Sequence, residues 1–311
     1  MKVITITLNP SLDKTYLVQG LLPGKLNRVQ TVFEDAAGKG INVSKNIQSW
    51  GFQSVALGFL GGYVGRRMEE LLDQVIQCDM VQVEGITRIN IKIKDEITGD
   101  LTEVNEPGPS VGVEDIEKLV FKLKDAIGPN DIVVISGSAP KGVETSLYQR
   151  LVDEAKQKGA FVVLDADKGA FIQGVQAIPG MIKPNEVEVQ WAMEKQEPCT
   201  LEQLIAFGTS KIQNGVEWVV ISRGKDGAIF MDKTQTLIGK GLKVEVKSPI
   251  GAGDAMVSGM IFGKCSGWDF ESTCRFAMAA SAATVVTEGT KTADLEVVKQ
   301  WIEQIHLERW N

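Results

Sequence analysis

A chain of 311 residues suits one large α/β unit carrying an insertion, or about two domains, and it buries enough surface to need no disulfide or metal staple. Its 33 Lys and Arg against 40 Asp and Glu leave a net charge of −7, which argues against broad binding to nucleic acid or an anionic membrane but leaves room for a local basic pocket. The single histidine, His306, sits near the C-terminus, so a Ser-His-Asp triad, a Cys-His dyad or a His-rich zinc site has almost no material, and proton transfer falls to a carboxylate.

Met1–Leu8 is too short and too polar for a signal-peptide core. Val3, Ile4, Ile6 and Leu8 read instead as a buried strand. Helical patterns follow at 40–50, closed by Gly51, and at 64–77. Segments 14–35 and 87–106 contain period-two stretches with no helix between them. They are expected to pair as a small separate sheet over the main one, as a lid, with edge hairpins of the main sheet as the alternative. DIVVISG (131–137), FVVLDAD (161–167) and WVVISRG (218–224) are continuous apolar runs, as in parallel strands covered on both faces. Amphipathic helices near 113–127, 143–158, 185–194 and 200–214 alternate with them, which implies a doubly wound parallel sheet. GAIFMD, TQTLIGK and LKVEVK then look antiparallel, before a Gly-rich turn and two or three closing helices. Cys78, Cys199, Cys265 and Cys274 form no C-x-x-C pair and suit reduced thiols in a cytoplasmic protein. The most apolar stretch, Ala277–Val286, falls far short of the ~20 residues a membrane-spanning helix needs.

The strongest chemical signal is Lys247-Ser-Pro-Ile-Gly-Ala-Gly-Asp-Ala255, between LKVEVK and a helix of small residues. Gly251 and Gly253 permit a turn whose backbone N–H groups point outward at a helix N-terminus and bind phosphate. A carboxylate there would repel a pyrophosphate. Asp254 makes sense if it takes the proton of a hydroxyl that attacks a terminal phosphate, with the helix dipole keeping it ionised; a Gly turn capped by Asp is the other reading. Ala37-Gly-Lys-Gly-Ile-Asn42 also opens a helix. Either its glycines let the backbone approach a small ligand reached by Lys39 and Asn42, or it is a plain helix start. Asn185 and Glu188 in KPNEVE share a face and read as Mg²⁺-water or phosphate ligands, or as a capping pair. SRGKDG (222–227) is a strand-ending turn that passes a nucleotide or closes a hairpin. Arg88 is a phosphate clamp or an exposed strand residue, and Asp13 binds sugar hydroxyls or caps its turn.

Taken together, TLNPSLD, AGKGINV, TRIN, PGP, SGSAPKG, KPN and SPIGAGDAMVSG resemble the ribokinase-like (PfkB-type) carbohydrate kinases over essentially the whole chain. The branch they resemble contains 1-phosphofructokinase and tagatose-6-phosphate kinase. The resemblance implies one kinase domain over 1–311, a doubly wound, mostly parallel sheet flanked by helices, with a small inserted β-sheet lid that often contributes to a homodimer. It implies Asp254 as catalytic base and Gly251, Ala252 and Gly253 as the anion hole. Asp13, Gly38 and Asn42 would hold sugar hydroxyls, and Lys39 and Arg88 the phosphate already on the sugar, assisted by Ser138 and Ser248. Asn185 and Glu188 would act on Mg²⁺ through water or phosphate, while Ser222, Gly224 and Gly227 flank ATP. The implied reaction is ATP-dependent phosphorylation of a ketohexose phosphate, first fructose 1-phosphate, with tagatose 6-phosphate as alternative. A nucleoside or vitamin kinase of the same fold would leave Lys39 and Arg88 without a partner, and a silent sugar-phosphate-binding regulator would not need Asp254. Three positions depart from the family pattern: Ala37 replaces a Gly, Arg223 replaces an apolar residue near the presumed nucleotide, and DADKGAF (165–171) ends its strand differently.

Overall fold

The computed structural model describes residues 1–287 and 292–310. An eleven-stranded sheet forms the centre. Val3–Thr7 lies between Ser54–Gly61 and Ile132–Gly137, and the order continues through Phe161–Ala166, Met181–Ile182 and Trp218–Ser222, all parallel. Every residue of Val3–Thr7 and of Ser54–Gly61 is buried, because helices cover both faces of the sheet. Two hydrophobic layers fill the two sides, one holding Ile4, Ile6, Val133 and Ile135, the other Val3, Ile132 and Val134. Alternate residues of one strand thus feed opposite layers.

The sheet turns antiparallel at Ala228–Met231 and Thr236–Gly239. The expected third strand, LKVEVK, does not form. Leu307–Arg309 pairs with Thr236–Gly239 and takes that edge, so 242–247 has no ladder to join. The alternation there serves a different surface: Leu242, Val244 and Val246 line a cavity, and Lys247 N–H bonds to Val285 O at 2.8 Å. The expected helix 64–77 ends at Leu72, because Gln77–Cys78 continues as a short strand against Val55 and Ala56. Three closing helices follow the Gly-rich turn, Ala252–Cys265, Phe270–Val285 and Leu295–Ile302.

Ser11–Val18, Thr31–Ala37, Arg88–Asp95 and Leu101–Asn105 form a separate four-stranded sheet, as the period-two segments predict. Its register places Ser11, Asp13, Arg88, Asn90, Lys92, Glu103 and Asn105 on one face. That face is turned toward the C-terminal ends of the main-sheet strands, where open α/β sheets bind ligands. No described helix is long and apolar enough to cross a membrane.

Candidate active site

Two cavities meet over the strand ends. The smaller, about 400 Å³, lies under the four-stranded sheet and is lined by Asp13, Gly38, Lys39, Asn42, Arg88, Asn185, Glu188, Gly251, Gly253 and Asp254 among others. The larger, about 810 Å³, is lined by Gly224, Gly227 and Ala252 with Met256, Met278 and the loop 241–246. Asn185, Ser222 and Gly253 belong to both. The sequence-expected residues therefore converge from six distant segments. Ser138 and Ser248 are the exceptions: neither lines either cavity, and Ser248 Oγ instead accepts the N–H of Ile250 at 3.3 Å within its own loop.

Gly251 adopts φ 80°, the left-handed conformation that glycine takes without strain, and so starts the helix Ala252–Cys265 abruptly. The first intrahelical bond runs from Ala255 N–H to Gly251 O at 2.8 Å. The N–H groups of Ala252, Gly253 and Asp254 precede it and are the orphan donors of a helix N-terminus. The glycines of AGKGIN have a packing reason as well: a Cβ on Gly38 or on Gly40 would come within 2.6 Å of the Thr7 side chain. Close approach to the first strand thus favours glycine at both, and at Gly38, which also lines the smaller cavity, a φ of 145° adds to it.

Asp254 is 7% exposed, and Asn42 Nδ2 donates to its Oδ2 at 2.7 Å. Burial, reinforced by the charge of Asp165, pushes this carboxyl up to about 7 against the pull of Asn42, Lys39 and Lys183. The helix dipole alone therefore does not keep it ionised. The Oδ1 atoms of Asn42 and Asn90 are buried with no hydrogen-bond partner among the described residues. Both belong to side chains that line the smaller cavity. Asp13 pairs with Lys92 and accepts from Ser11 Oγ at 2.7 Å. Arg88 donates through Nε and Nη2 to Asn9 O, at 3.1 and 2.8 Å.

Sequence reasoning missed the charged centre of the site. Asp165, 1% exposed, lies 3.2 Å from Lys183 Nζ and 3.5 Å from Lys39 Nζ. Burial raises the Asp165 carboxyl, but the two lysines outweigh it and hold the group below its ordinary range. Lys39 likewise stays well above the usual lysine value: burial lowers it, and Asp165 and Asp167 more than compensate. A Cβ on Gly253 would sit 3.4 Å from Lys183 Nζ, so this cation adjoins the helix N-terminus. The readable signal was an aspartate ending an otherwise apolar strand.

Asn185 and Glu188 form a reciprocal capping box: Glu188 N–H donates to Asn185 Oδ1 and Asn185 N–H to Glu188 Oε2, both at 2.8 Å. Burial, then the charge of Asp165, raises the Glu188 carboxyl. Arg223, the expected cation near a nucleotide, is held by Glu186 at 3.0 Å and lines neither cavity.

The pattern of the pfkB family of carbohydrate kinases matches residues 6–297. A 1-phosphofructokinase from Vibrio cholerae is 33% identical over 308 residues, covering 98% of this chain and 96% of that protein. A D-tagatose-1-phosphate kinase from Bacillus licheniformis is 33% identical over 306 residues, with 98% and 99% covered. Among solved structures, phosphofructokinase-2 from Escherichia coli superposes with a TM-score of 0.92 at 25% identity, over 97% of this chain and 98% of that one. With two glycine-rich helix starts facing each other across one carboxylate-floored cavity and a match running nearly end to end, the chain belongs to the pfkB family of carbohydrate kinases, phosphotransferases that act on an alcohol group.

Proposed function

We propose that the protein transfers the terminal phosphoryl group of ATP to a hydroxyl of a ketohexose phosphate, fructose 1-phosphate first, yielding a bisphosphate and ADP. The observation that carries this reading is the junction: Gly253 belongs to both cavities and Asp254, next in the chain, lines the smaller one. A phosphosugar in the smaller cavity and a nucleotide in the larger would meet at the helix N-terminus. Asp254 accepts the proton of the attacking hydroxyl. The N–H groups of Ala252, Gly253 and Asp254, with Lys183 beside them, receive the charge on the transferred group, so catalysis is positioning plus electrostatics. Asp13, Asn42 and Asn90 hold hydroxyls, and Lys39 and Arg88 take the phosphate already on the sugar. Ser222, Gly224 and Gly227 flank ATP.

Mg²⁺ fits as an ion carried by the nucleotide: among the described residues no three acidic, His or Cys side chains form a cage, while Asn185 stands where the cavities meet and Glu188 lines the smaller one, enough for contact through water or phosphate. When bound, the ion neutralises charge on the β- and γ-phosphates. The four-stranded sheet acts as a lid over the sugar. Its outer face carries Tyr16, Val32, Ile91, Ile93 and Val104 side by side, with Val32 50% and Val104 54% exposed, and we place a homodimer contact there. Light scattering should return a mass near twice 33.8 kDa; a monomer at assay concentration removes that contact. A cytoplasmic location goes with this reading.

The relative named D-tagatose-1-phosphate kinase favours one second substrate, tagatose 1-phosphate, which differs from fructose 1-phosphate only at C4. The deciding experiment is ADP release with ATP and Mg²⁺ against fructose 1-phosphate, tagatose 1-phosphate, tagatose 6-phosphate, fructose 6-phosphate, ribose and adenosine. A ketohexose phosphate with the highest kcat/KM supports the reading; turnover of ribose or adenosine alone sinks it. Lys39→Met should raise KM for the phosphosugar about 10- to 100-fold, the worth of a charged hydrogen bond. An unchanged KM would mean that the phosphate lies elsewhere.

A further inference from the structure

Asp167 opens the helix Lys168–Gly174 in the extended conformation usual for an N-cap, φ −90° and ψ 146°, yet its carboxylate makes no hydrogen bond to that helix. Aspartate is among the best capping residues, and capping contributes about 1 kcal/mol. Here the side chain reaches away, to 2.6 Å from Lys39 Nζ. It is the nearest anion to that cation, since Asp165 stands at 3.5 Å and is shared with Lys183 at 3.2 Å. Asp167 is partly exposed, its side chain 40% accessible, so it can swing into solvent without leaving a charge buried. This carboxylate therefore occupies Lys39, one of the two cations that the proposed function assigns to the sugar's phosphate.

We propose that Asp167 sets the affinity of the phosphate subsite: its carboxylate stands in for phosphate on Lys39, and an incoming phosphosugar must displace it. This rests on the proposed function, which places the sugar's phosphate at Lys39. A bare anion gains little beyond Lys39 and Arg88 and fails to displace Asp167 at ordinary concentrations. A phosphosugar adds hydroxyl contacts to Asp13, Asn42 and Asn90 and succeeds. The competition divides the apparent affinity of every phosphate ligand by the same factor.

The test uses Asp167→Asn and Asp167→Ser, the second retaining a residue that caps helices well. Both should lower KM for fructose 1-phosphate about three- to tenfold, the effect showing in KM rather than kcat. Inorganic phosphate should stabilise both variants against heat at concentrations about three- to tenfold below those needed for the wild type. In a Lys39→Met background the same substitutions should change neither value. A KM that rises or stays constant, or a gain that survives loss of Lys39, overturns the proposal. If the wild type turns over no ketohexose phosphate, the functional reading fails, and the melting shift with inorganic phosphate still decides whether Asp167 competes for Lys39.

Discussion

Asp254→Asn should lower kcat by about 10²- to 10⁴-fold, the range general-base catalysis supplies, with KM for both substrates nearly unchanged. The amide keeps the shape of the carboxylate and the neighbourhood of Asn42 Nδ2, 2.7 Å away in the wild type, but it cannot hold the proton released by the attacking hydroxyl. Because burial and Asp165 push the Asp254 carboxyl up to about 7, the wild-type base is largely protonated below that pH. Wild-type kcat/KM should therefore rise with pH through about 7 and then level off, and this limb should vanish in the variant. Rates equal to wild type in Asp254→Asn would eliminate Asp254 as the base.

The same shift has a stability consequence of fixed sign. A carboxyl near 7 in the folded state and about 3.9 in the unfolded chain binds more protons when folded over that window, so its contribution to stability falls as pH rises from 4 to 7. Asp254→Asn removes the titration. The variant should melt higher than wild type at pH 8 and lose this advantage toward pH 4. Greater stability paired with lost turnover is the mark of a charge kept buried for its chemistry rather than for the fold.

The helix start at Gly251 was legible because it depends on a few neighbouring residues, a left-handed glycine and an acid in the turn that follows it. The second sheet was legible because segments with period two and no intervening helix have few places to go. What failed in each case depended on partners far along the chain. Lys92, in RINIKIKD, alternates with isoleucines as a solvent-facing lysine would, yet it is 5% exposed and paired with Asp13, which sits 79 positions earlier. LKVEVK alternates like a strand, but Leu307–Arg309 had taken the edge it needed. Lys183 was visible only as part of KPNEVE, because its position beside Gly253 follows from strand order across the sheet.

Asp165 is the sharpest case, and Asp165→Asn should show it in two measurements. The carboxylate is 1% exposed and holds two cations, Lys183, itself 5% exposed, and Lys39. Removing one partner from a buried ion pair costs about 3–5 kcal/mol because the remaining charge has nothing to offset its desolvation. In a chain of this size that corresponds to a melting point lower by on the order of 10 °C. Destabilisation alone is what any structural ion pair would give. The second measurement separates the roles: Asp165 raises the Asp254 carboxyl, and the two lysines it neutralises would lower it. Without Asp165 the net field at Asp254 turns more positive, its carboxyl becomes more acidic, and the acid limb of kcat/KM moves below pH 7. A variant that melts early but keeps its limb at about 7 would make Asp165 a scaffold residue. A limb that moves shows that Asp165, together with burial, holds the base poised near neutrality.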